Sequence, residues 1–125
     1  MMEDHGRVVC VVDDDASLRR SLKNLLTSVG FLVETFQSAE AFLDAAHRQN
    51  IGCVVLDLRL TGMNGLDLLR RLASTGSRIP VIILTAHGDD ETRERTLQAG
   101  AIAFLRKPFQ SATLLDAVRA ALAAS

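Results

Sequence analysis

Short apolar runs and helical patterns alternate five times along the 125 residues, and that alternation limits the chain to few folds. The runs cover about Arg7 to Asp13, Phe31 to Phe36, Cys53 to Asp57, Val81 to Leu84 and Ile102 to Leu105. Helical stripes stand between them. Leu18, Leu22, Leu25, Leu26 and Val29 recur at helical spacing, as do Leu66, Leu69 and Leu72 further on. Ser38 can cap a helix carrying Ala41, Phe42 and Ala45, and a last helix from near Ser111 carries Leu114, Leu115, Val118 and Leu122. The fourth helix, about Asp90 to Ala99, is unusually polar and has little beyond Leu97 and Ala99 to bury. Five strand–helix units in a row predict an α/β fold, (βα)5, with a doubly wound five-stranded parallel sheet covered on both faces. Residues 1–6 are expected to be a flexible tail, with one domain over residues 7–125.

Hydrophobic residues make up 48% of the chain, enough for a real core at this length. The formal net charge of -1 gives no bulk electrostatic case for direct nucleic-acid binding. Absence of Trp and Tyr argues against a base-stacking surface. Cys10 and Cys53 both lie inside apolar runs, so they read as buried reduced thiols. The N-terminus lacks an apolar signal core, and no run is long enough to span a bilayer, so a cytoplasmic protein without membrane contact is expected.

In a sheet ordered 2-1-3-4-5, ligands bind beyond the carboxyl ends of the strands, in the crevice between strands one and three. Those two runs end in Asp13-Asp14 and in Asp57. The fourth ends in Thr85, and the fifth leads to Lys107. Three carboxylates in one crevice repel each other and persist only beside a compensating cation. An all-oxygen donor set favours Mg²⁺, with Mn²⁺ as an alternative, over Zn²⁺. Metal, Lys107 and a hydroxyl make a phosphoryl-binding site, and Asp57 is the candidate nucleophile. Asp15 reads as a helix cap.

With these residues in place, the chain resembles the receiver domain of two-component response regulators over about Val8 to Leu122. The carrying stretches are Val11 to Asp15, Val55 to Arg59, Gly62 to Gly65, Leu84 to Ala86 and Lys107 to Phe109. Gln37 to Phe42 and Thr85 to Asp89 make it most similar to the FixJ-type group. The resemblance implies that Asp57 accepts a phosphoryl group from a sensor histidine kinase. It implies that Asp14 ligates Mg²⁺ directly, Asp13 through water, and Arg59 through its backbone carbonyl. It also implies Thr85 as switch hydroxyl, Lys107 as phosphoryl salt bridge, Phe104 as switch aromatic and a cis Lys107-Pro108 bond.

Arg59 and His87 flank the route of the hydrolytic water in such domains and are expected to tune dephosphorylation. The family usually has Pro where Thr61 stands, so loss of that ring is expected to loosen the loop. Further expectations are an effector domain beyond residue 125, DNA-binding by analogy, and homodimerisation through the fourth helix, fifth strand and fifth helix. Alternatives are a single-domain phosphorelay protein or the receiver of a hybrid kinase. An aspartate-nucleophile phosphatase would need an acid two residues after Asp57, where Arg59 stands. A flavodoxin-like FMN binder would need a phosphate loop where Asp13-Asp14-Asp15 stands.

Overall fold

The computed structural model describes residues 7–46 and 50–124, so the expected tail at residues 1–6 lies outside the described residues. The elements run β1 (Val8–Val12), α1 (Ala16–Ser28), β2 (Leu32–Phe36), α2 (Ala39–Ala46), β3 (Ile51–Leu56), α3 (Gly65–Ser74), β4 (Val81–Thr85), α4 (Asp90–Gln98), β5 (Ala103–Arg106) and α5 (Ser111–Ala124). All strand pairs are parallel, and the sheet order is β2-β1-β3-β4-β5. The anticipated architecture is therefore present.

The period-two geometry of the strands divides the core in two. Cys10, Val12, Val54, Leu56, Val81 and Ile83 point to one face and pack with Ala39 and Phe42 of α2 and Leu68, Leu69 and Leu72 of α3. Val9, Val11, Cys53, Val55, Ile82 and Leu84 point to the other, against Leu22 and Leu26 of α1 and Leu114, Val118 and Leu122 of α5. Each fully buried leucine contributes roughly 1.5–3 kcal/mol relative to an exposed one. Phe42 meets Phe36 edge-on, with ring centroids 5.6 Å apart. Both cysteines are free and buried, and burial pushes both thiols up to about 12.

Several boundaries and faces differ from the sequence reading. β3 begins at Ile51, two residues early. In α3 the buried leucines are Leu68, Leu69 and Leu72, while Leu66 is half-buried: the core stripe runs 65-68-69-72 from the Asn64 cap. Val29 is the cap that ends α1 and stands exposed, not on the core face. Ile102 donates its N–H to Val81 but exposes its side chain, so β5 proper starts one residue later. α4 buries only Thr96 fully, whose hydroxyl donates to the Arg93 carbonyl at 2.9 Å.

Candidate functional site

β1 and β3 run side by side in register, Val12 opposite Leu56, so the residues that follow them emerge together. Asp57 donates its N–H to the Val12 carbonyl at 3.0 Å, and Asp13 donates its own to Phe36 at 3.1 Å. These ladder bonds extend the sheet by one residue and fix both carboxylates at its C-terminal edge. Asp13 and Asp57 are buried, while Asp14 faces outward. Carboxylate oxygens of Asp13, Asp14 and Asp57 all lie within 4.8 Å of one another.

Lys107 reaches this cluster from the loop after β5. Its Nζ donates to Asp13 Oδ2 at 2.8 Å and to Asp57 Oδ2 at 3.2 Å. The Lys107 N–H donates to the Thr85 carbonyl at 2.9 Å, and the Lys107-Pro108 bond is cis. Thr85 is fully buried, and its hydroxyl accepts from the His87 N–H at 3.1 Å. The predicted residues Asp13, Asp14, Asp57, Thr85 and Lys107 thus meet at one edge of the sheet. Arg59 and His87 are exposed on the two flanking loops, and Phe104 is half-buried on β5.

Electrostatics suit this cluster to a cation. Burial pushes the Asp13 carboxyl above its ordinary range, although the Lys107 hydrogen bond, the Asp15 N–H and the Lys107 charge all pull it down. Burial also works against a charged Lys107, but Asp13 and then Asp57 outweigh it and hold the ammonium above its usual range. The two directions have different origins: desolvation raises the Asp13 carboxyl, whereas the neighbouring carboxylates raise the Lys107 ammonium. Three carboxylates face one lysine, and the donors are all oxygen, which suits a hard divalent ion. The acidic cluster can therefore hold a metal.

Four supports surround the site, and of these only the Asp15 cap was read from the sequence as a support. The Arg19 guanidinium donates to the Asp13 carbonyl at 2.8 Å and braces the turn after β1. The Asp15 carboxylate accepts from Ser17 and Leu18 and caps α1, as its position suggested. Gly65 presses against the active loop: a Cβ there would lie 2.2 Å from the Asp57 carbonyl oxygen, so only glycine fits. Glu40 of α2 accepts the Met63 N–H at 2.9 Å. That bond lowers the Glu40 carboxyl from its ordinary range and ties the loop after β3 to α2. It supplies a restraint that the missing proline at Thr61 had put in doubt.

Residues 9–119 match the family model described as the response regulator receiver domain. The transcriptional regulatory protein TdiR of Thauera aromatica is 48% identical over 119 residues, covering 95% of this chain and 52% of TdiR. The response regulator protein TodT of Pseudomonas putida is 41% identical over 121 residues, covering 97% of this chain and 53% of TodT. The chain spans about half the length of the curated relatives it matches. The crystal structure of FixJ-N superposes with a TM-score of 0.88 at 40% identity, covering 98% of this chain and 96% of that one.

Proposed function

Because the chain belongs to the response regulator receiver domain family, of the FixJ type, we propose that Asp57 is its phosphoryl acceptor and that Mg²⁺ serves the transfer. The observation that carries this reading is the convergence of Asp13, Asp14, Asp57 and Lys107 at one sheet edge. Asp14, Asp57 and the Arg59 carbonyl would hold the metal, with Asp13 acting through water; Mn²⁺ would also fit. When bound, the ion neutralises charge on the transferring phosphoryl oxygens.

The chain's own groups do the rest. An Asp57 carboxylate oxygen forms the new bond to phosphorus as the bond to the donor's imidazole nitrogen breaks. The donor would be a sensor histidine kinase. Lys107, already within reach of Asp57, pairs with the phosphoryl oxygens and offsets the added charge. Thr85 donates its hydroxyl to the new group, which draws the loop after β4 inward. Phe104 then turns into the space released, and the α4-β5-α5 surface changes. α4 suits this role because Thr96 is its only fully buried residue among those described.

That altered surface would control a DNA-binding output, or a homodimer, since TdiR is a transcriptional regulatory protein about twice as long. Arg59 and His87, exposed on either side of Asp57 and Thr85, would set how long the phosphate lasts. No helix among the described residues is long and apolar enough to cross a membrane.

Incubation with Mg²⁺ and acetyl phosphate tests the reading. Intact-mass measurement is expected to give a one-phosphoryl increase that Asp57→Asn abolishes. Steady release of phosphate without a phosphorylated species would favour the aspartate-nucleophile phosphatase instead. That enzyme needs a general acid two residues after its nucleophile, where this chain has Arg59.

A further inference from the structure

One side chain joins the loop after β4, the start of α4 and the ring of Phe104. Arg106, the last residue of β5, donates from Nε to the Gly88 carbonyl at 2.7 Å. A second nitrogen, Nη2, reaches Asp90 Oδ1 at 3.4 Å. The same guanidinium lies over the Phe104 ring, 5.6 Å from its centroid. Gly88 closes the group: a Cβ there would lie 2.3 Å from Phe104 Cζ, so the loop backbone rests directly on the ring.

These contacts differ in strength. The Asp90 pair is exposed and contributes little. A charge-assisted bond to a carbonyl is stronger, and the guanidinium plane over the ring adds a cation–π attraction. Loop, ring and guanidinium therefore hold one another in the observed arrangement. Thr85 lies three residues before Gly88, and its inward movement would have to carry the 86–89 loop with it. A turn of Phe104 would have to break the Arg106 stack and part the ring from the Gly88 backbone.

We infer that Arg106 is a positioning residue: it clamps the loop after β4 onto Phe104 and holds the domain in its resting arrangement. This rests on the phosphoacceptor reading for its consequence but not for its geometry. Removing the clamp raises the fraction of molecules in the active arrangement. Apparent affinity for a ligand selective for that arrangement rises in proportion.

Beryllofluoride with Mg²⁺, a phosphoryl mimic, is the probe. Arg106→Ala is expected to tighten its apparent affinity about fivefold. Arg106→Lys keeps the stem and the charge but loses the Nε donor and the planar stack, and is expected to give most of the same gain. In a Phe104→Ala background, Arg106→Ala should give a smaller gain, because only the bond to Gly88 is then left to lose. Unchanged or weaker binding in both Arg106 variants overturns the clamp, as does an equal gain in the Phe104→Ala background.

A wild-type chain that binds no beryllofluoride overturns the phosphoacceptor reading alone. The clamp is then read from the unliganded protein by NMR. Arg106→Lys should shift the Phe104 ring and Gly88 amide resonances together, and movement of neither overturns it.

Discussion

At the scale of single residues, Asp13 carries the clearest energetic signature. Its folded-state carboxyl is held above its ordinary value, mainly by burial, so the folded protein binds that proton more tightly than the unfolded chain does. The stability it contributes is present at low pH and lost as pH rises through the folded value. Asp13→Asn should therefore stabilise the metal-free protein at neutral pH by roughly 0.5–2 kcal/mol. The gap between variant and wild type should shrink as pH falls. Chemical denaturation of both proteins across pH 4 to 7 checks this, and a gap that widens on acidification would contradict it. Gly65→Ala acts at the same scale. Its methyl group meets the Asp57 carbonyl, which cannot move aside without shifting the carboxylate, so a loss of about 1–3 kcal/mol is expected, with weaker phosphorylation. The strand-end chemistry was legible because Asp13, Asp57 and Thr85 each follow an apolar run. Gly65 was legible only as part of a motif, since the atom it must avoid belongs to a loop on the other side of the turn.

Elements were legible to the extent that their periodicity is local. The stripe of α1 and the alternation along β1 and β3 follow directly from side-chain spacing, and the parallel sheet followed from five repeated units, its expected order 2-1-3-4-5 being the one observed. The phase of α3 was misread at Leu66 because its helix starts at the Asn64 cap, whose bond to the Asp67 N–H sets the rotation of the whole element. Contacts between elements left no local pattern. Glu40 and Met63 are 23 positions apart, and Arg106 and Gly88 are 18 apart. The Glu40 bond gives a prediction for the loop after β3. Glu40 is held below its ordinary range, so the contact is present above the unfolded value and lost as pH falls through the folded one. The Met63 amide should exchange several-fold faster in Glu40→Ala than in wild type near neutrality. The difference should fade under acidic conditions that protonate Glu40. Equal exchange rates at neutral pH would remove Glu40 from the loop's support.

For the whole molecule, two core halves hold a sheet whose C-terminal edge concentrates negative charge. The fold packs the strands under the site on both faces and leaves α4 with Thr96 as its one fully buried residue among those described, which suits the proposed movement of that helix. Mg²⁺ should raise the unfolding free energy by about 2.7 kcal/mol at a hundred times its dissociation constant, and Asp57→Asn together with Asp14→Asn should remove most of that gain. Thermal melts with and without metal measure it; an equal shift in the double variant would mean that the ion binds elsewhere. The phosphoryl group is expected on one carboxylate alone. Borohydride reduction of the chain after treatment with acetyl phosphate converts an acyl phosphate to homoserine, and tandem mass spectrometry locates it. Homoserine is expected at position 57 alone, dependent on Mg²⁺. Homoserine at position 13 or 14, or a phosphoester on Thr85 in its place, would contradict it.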